Sequence, residues 1–196
     1  DIGAHKSGTT PLTKAYGIPH VPKPDVLIYN TNQCREVQDW FSYYSREFKV
    51  PAFGIFSPWK IDDLHQNQVQ SVTDQFKALI PSLASISKVP FDIDRLREVV
   101  GLSKQMSDLW QRFLQTAQHK PSPISFFDGC IQMAPAVVLR GLPVAVEYYK
   151  KLNQEIDEHN TTKSGTVVKE KVRLYWEGMH IWGRLRFFSD LFSKLN

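Results

Sequence analysis

Cysteine is almost missing from this chain: Cys34 and Cys130 are the only two in 196 residues. They form no CxxC pair, so neither a zinc finger nor a disulfide framework is indicated. No apolar run approaches the roughly 18 residues that a membrane-spanning helix needs, and the opening DIGAHKSG lacks the basic and apolar regions of a signal peptide. Charge of one sign does not accumulate either. The 24 Lys and Arg residues outnumber the 20 Asp and Glu, but they are scattered, without the basic stripe and interleaved aromatics of a nucleic-acid surface. A GxxxxGK[ST] phosphate loop is also lacking. These absences leave a cytoplasmic protein with no membrane and no nucleic-acid partner as the expectation.

What is present is apolar material for one sizeable core or two small ones, at 42% hydrophobic residues. The chain starts without a Met, and its amphipathic last segment stops at Asn196. An internal piece of a larger protein is therefore expected.

The run DVLIYN, 25 to 30, lies between Pro24 and the polar Thr31-Asn32-Gln33, as a buried parallel strand should. Val37, Trp40, Phe41, Tyr44 and Phe48 follow at helical spacing, and VPAFGIF, 50 to 56, returns as a second strand. This is a βαβ unit. Cys34 falls where its first strand hands over to the helix, the place where open α/β sheets bind ligands and where helix starts favour anions. Position alone leaves two readings open, a reactive thiol or a small buried hydrophobe filling a strand end.

Past Pro58 the alternation stops. Val69, Val72, Phe76, Leu79 and Ile80 trace one helical face, and Leu96 to Leu114 trace a longer one behind an N-cap at Asp92 or Asp94. A helix is expected from Phe126 to Leu139, after the proline-punctuated KPSPISFFDG. Another is expected from Pro143 to about Glu158, with Ala145, Tyr148, Tyr149, Leu152 and Ile156 inward. The expected organisation is the end of a first α/β domain over 1–58, a helical subdomain over 59–158, a linker over 159–170, and the start of a second α/β domain over 171–196. That last piece would be a strand, KVRLYWEG, and a helix whose face of Phe188, Leu191 and Phe192 needs covering.

Taken in order, PDVLIYNTNQC with WF and VPAFGI, then FDIDRLREVV, KPSPISFF, RGLPVAVEYYKKLNQEI and RLYWEGMHIW resemble the large subunits of the benzoyl-CoA reductase and 2-hydroxyacyl-CoA dehydratase family. The resemblance runs over nearly the whole chain. Asp1-Ile2-Gly3 and NTNQCREVQDWF are more similar to its aromatic-ring-reducing branch. It implies Rossmann/flavodoxin-like parallel-sheet domains with a helical subdomain between them. It also implies that Cys34 ligates iron of a 4Fe-4S cluster whose other cysteine ligands lie outside this stretch.

Cys130 does not match a family ligand position and reads as a structural thiol. Glu177, in WEG at the carboxyl end of the expected strand, has two readings: orienting a ligand or transferring a proton, or serving as a capping or salt-bridged residue. His180 stands where the family commonly has a proline, and reads as a proton donor or as a turn residue. By resemblance the whole protein reduces benzoyl-CoA to a cyclohexadiene carboxyl-CoA in anaerobic aromatic degradation. Its partners would be a homologous second large subunit, ATP-hydrolysing iron-sulfur activator subunits, and ferredoxin as donor to the activator. The alternatives are a 2-hydroxyacyl-CoA dehydratase subunit, or a paralogous subunit without catalysis of its own.

Overall fold

The short apolar run LIYN forms β1 (Leu27–Asn30) in a computed structural model, which describes residues 22–32, 34–58, 63, 65–161 and 170–195. Asp1-Ile2-Gly3, the rest of residues 1–21, Gln33, and most of the expected linker, 162–169, lie outside the described residues. The chain divides between Phe91 and Asp92 into two compact units.

In the first unit, β1 is followed by α1 (Arg35–Phe48) and β2 (Ala52–Ile55). The strands pair in parallel with Leu27 opposite Ala52 and Asn30 opposite Ile55, which is the expected βαβ unit. Its helix lies where the apolar spacing put it. The Phe41 ring stands 5.3 Å from Tyr29 of β1, and Tyr44 stacks on buried Phe48 at 5.6 Å. Trp40, expected on the same face, is exposed, because it falls at the margin of a stripe centred on Phe41, Tyr44 and Phe48. Lys49, in the left-handed region, closes α1, and the Ser45 hydroxyl donates to the Val50 carbonyl at 2.7 Å, turning the chain into β2. Next comes α2 (Gln66–Ser87). At its start Gln68 Oε1 accepts from the His65 N–H at 3.0 Å. Of the expected inward face, Leu79 is buried, whereas Val69 and Phe76 stay exposed.

The second unit is helical. Its elements are α3 (Ile93–Gln115), α4 (Phe126–Gln132), α5 (Ala134–Val138), α6 (Pro143–Thr161) and α7 (Leu185–Leu195). Asp92 rather than Asp94 is the N-cap of α3; its Oδ1 accepts from Asp94 N at 2.8 Å and Arg95 N at 3.3 Å. Asp94 instead pairs with Arg97. The core lies where α3 meets α5 and α6, with Met106, Ala136, Ala145, Val146 and Tyr149 buried together. Asn153, also buried, donates through Nδ2 to the carbonyls of Leu109 at 3.0 Å and Tyr149 at 2.7 Å. That ties α6 to the backbone of α3, since a buried amide left unbonded would cost stability.

Gly141 makes the turn into α6 with φ of +80°, and a Cβ there would stand 2.6 Å from Val99 Cγ1. Gly141→Ala is expected to lower stability by about 1–3 kcal/mol, combining left-handed strain with overpacking. Urea unfolding would show it as a lower midpoint at an unchanged m-value.

Two expectations are corrected. The single helix from Phe126 to Leu139 is broken at Met133 into α4 and α5. Pro135, which has no N–H and whose ring opposes the carbonyl four residues back, cannot continue the first helix unbroken. The strand expected over 171–178 does not form: residues 170–181 have no regular secondary structure. A strand needs a neighbour to bond, and among the described residues only β1 and β2 pair. The described residues are therefore mostly helical with one small parallel sheet, a mixed α/β chain. The last helix is covered differently from expectation. Trp176, from the irregular stretch, lies 5.7 Å from Phe188 and stacks on Phe126 at 5.5 Å, while Phe127 stacks on Phe192 at 6.0 Å. No helix among the described residues is long and apolar enough to cross a membrane.

Candidate functional site

Parallel strands end with their carboxyl termini side by side, and the chain leaving each must turn sharply toward the next helix. After β1 the turn is set by side-chain amides. Asn30 Oδ1 accepts from the Asn32 N–H at 2.8 Å, and the Asn32 side-chain amide donates to the Ser57 carbonyl beyond β2. Gln38, from the second turn of α1, donates to the Thr31 carbonyl at 3.0 Å. The sheet itself extends one bond further, from Thr31 N to Ile55 O at 3.0 Å. Asx turns of this kind are local alternatives to regular structure, and here they aim the chain into α1.

Cys34 is the N-cap residue of α1, with φ of −57° and ψ of 153°. Its carbonyl accepts from Val37 N at 3.2 Å, while its side chain makes no capping hydrogen bond and is exposed. The thiol lies in solvent at the positive end of a 14-residue helix. Cys130 contrasts with it: buried within α4, its thiol pKa is pushed up by desolvation, as a structural thiol requires.

Glu177 and His180 share the irregular stretch of the second unit; Cys34 belongs to the first. Glu177 is exposed. His180 is half-buried, its ring 3.7 Å from that of Trp182 and 5.9 Å from that of Phe126, and its Nε2 is shielded from solvent without a hydrogen-bond partner. Among the described residues no three His, Cys, Asp or Glu side chains converge to hold a metal ion.

Sequence reasoning missed the pair that holds this stretch. Glu170 Oε2 accepts from the Ser122 N–H at 2.9 Å, and Arg173 bonds both Glu170 oxygens, at 2.8 and 2.6 Å. Arg173 also caps the carbonyls of Ala117 at 2.6 Å and His119 at 2.8 Å, past the end of α3. The hydrogen bond from Arg173, then that from Ser122, holds the Glu170 carboxyl below its ordinary range. The i,i+3 spacing of Glu170 and Arg173 was the available signal. Since the folded pKa is depressed, the contribution is fully present above the unfolded carboxylate pKa and is lost as pH falls through the folded one. Acidification below the usual glutamate range is therefore expected to lower the protection of the Ser122 amide relative to its intrinsic exchange rate, and Glu170→Gln to abolish that acid step.

Similarity to known proteins runs along the whole chain. The family described as 2-hydroxyglutaryl-CoA dehydratase, D-component, matches residues 2–196. A benzoyl-CoA reductase chain of Thauera aromatica is 34% identical over 182 residues, covering 88% of this chain and 42% of that protein. The (R)-2-hydroxyisocaproyl-CoA dehydratase alpha subunit of Clostridioides difficile is 32% identical over 177 residues, 89% of this chain and 43% of that protein. The (R)-phenyllactyl-CoA dehydratase alpha subunit of Clostridium sporogenes is 30% identical over 168 residues, 85% of this chain and 41% of that protein. The chain spans about two-fifths of the length of these relatives. With a match along almost its full length, the chain belongs to the 2-hydroxyglutaryl-CoA dehydratase D-component family, whose relatives are subunits of CoA-thioester dehydratases and of benzoyl-CoA reductase.

Proposed function

We propose that this chain is part of a large subunit of a benzoyl-CoA reductase, with Cys34 as one iron ligand of a 4Fe-4S cluster. The observation that carries the reading is the exposed Cys34 thiol at the start of α1, beyond the carboxyl end of a parallel strand. A soft thiolate donor suits iron-sulfur ligation, and no capping bond has to be broken to free it. The remaining ligands would come from further parts of a longer protein. When bound, the cluster supplies the low-potential electrons that an aromatic thioester requires.

This chain's own residues then have defined tasks. Asn32 and Gln38 hold the turn that presents Cys34. His180 and Glu177 are the groups through which the second unit would hold or pass a proton. The βαβ unit is the part of a Rossmann/flavodoxin-like domain that this stretch supplies. A homologous second subunit, an ATP-hydrolysing iron-sulfur activator fed by ferredoxin, and an acyl-CoA substrate complete the assembly in the cytoplasm.

The dehydratase names of two relatives favour a second reading, radical elimination of water from a 2-hydroxyacyl-CoA. Electron stoichiometry separates the two. The full-length complex, purified anaerobically and given benzoyl-CoA with a low-potential donor, is expected to consume electrons in proportion to cyclohexadiene product. Turnover of a 2-hydroxyacyl-CoA with no net electron consumption, and none of benzoyl-CoA, would establish the dehydratase reading instead.

A further inference from the structure

The carbonyls of Pro51, just before β2, and Ile55, at its end, accept from Leu27 N at 2.9 Å and Thr31 N at 3.0 Å, so these residues bond toward β1. Alternation along the strand turns the peptide groups of Phe56 to the opposite edge. There they are met by a side chain. Gln75 of α2 accepts from the Phe56 N–H through Oε1 at 2.8 Å and donates to the Phe56 carbonyl through Nε2 at 2.9 Å. Nε2 also lies 3.3 Å from the Ser71 carbonyl of its own helix. One primary amide thus makes the two bonds that a third strand's peptide would make, and does so where β2 ends.

That end is joined to the Cys34 turn. The residue after Phe56 is Ser57, whose carbonyl takes the Asn32 side-chain amide, and Asn32 belongs to the turn between β1 and Cys34. We propose that Gln75 is a positioning residue for Cys34, acting through the backbone of Phe56 and Ser57 and the side chain of Asn32. The inference rests on the reading of Cys34 as this chain's reactive group. It adds a distant helix to the support of that group: α2 fixes the exit of β2, and the exit of β2 fixes the turn.

Amide hydrogen exchange in the full-length protein tests this without iron. Gln75→Met keeps the side-chain length and a good helix former on a half-buried position, so the helix should form. Exchange at the Phe56 amide is expected to rise about tenfold, and at the Thr31 and Val37 amides, which Gln75 does not touch, about threefold. Gln75→Glu keeps the acceptor for Phe56 N–H and is expected to fall between wild type and Gln75→Met. In an Asn32→Ala background the remote effect should vanish, because the link is gone. In the iron-loaded protein Gln75→Met should also broaden the cluster's EPR signal. Acceleration confined to Phe56, or a remote effect that persists with Asn32→Ala, would overturn the proposal. A cluster that survives Cys34→Ser would overturn the reading of Cys34 and leave the exchange result standing.

Discussion

Cys34→Ser in the full-length complex is expected to remove the cluster's EPR signal and bound iron, and to cut benzoyl-CoA turnover by at least ~100-fold, since losing even an outer partner of a metal ligand costs about 10–100-fold. A serine hydroxyl is a harder donor that stays protonated, so it replaces the thiol in size but not in ligation. The fold should not suffer. Cys34 makes no side-chain cap bond and is exposed, and serine is a preferred N-cap whose hydroxyl can bond the first free N–H groups of α1. The variant is thus expected to be at least as stable as wild type while lacking the cluster, a combination that unfolding cannot produce. Iron at full occupancy in a well-folded Cys34→Ser protein would show that the thiol is not a ligand.

In the second unit the largest stability effect is expected at Tyr149. It is 0% exposed, its ring lies 5.5 Å from Trp110, and its hydroxyl donates to Gln132 O at 2.6 Å and accepts from Ala136 N at 3.0 Å. Those two bonds reach backbone groups at the break between α4 and α5, where Ala136 N–H also bonds the Met133 carbonyl at 3.0 Å. Tyr149→Ala should cost about 3–5 kcal/mol, as truncation of a large aromatic in a packed core does. Tyr149→Phe keeps the packing but leaves both backbone groups without the hydroxyl, at about 1–3 kcal/mol. Denaturant midpoints of the two variants measure the terms separately. If Tyr149→Phe unfolds at the wild-type midpoint, the hydroxyl bridge contributes nothing and the break is held by packing alone.

Much of the candidate site was legible because its signals are local. A short apolar run, a polar turn and a 3.6-residue stripe define strand, turn and helix within about thirty residues, and the cysteine falls at the junction by counting. What counting could not supply was exposure. The structure adds that the Cys34 side chain lies in solvent and that His180 Nε2 is shielded beside Phe126 and Trp182. Gln75 carried no signal at all, being one glutamine among several in its helix; only its distance to Phe56 distinguishes it.

The sequence by itself determined the elements whose causes lie within a few residues. A start for α3 at Asp92 or Asp94 follows from a carboxylate that can reach free N–H groups, Pro143 opens α6 because it needs no donor there, and β1, α1 and β2 follow from their spacing. Tertiary structure decided the rest, because those outcomes depend on what stands opposite. KVRLYWEG has strand-like residues but no paired edge among the described residues, so the Glu170 to Arg173 clasp and the Trp176 ring hold it instead. At the other end of the chain, the open edge of β2 is met by a helix side chain whose amide takes the place of a strand.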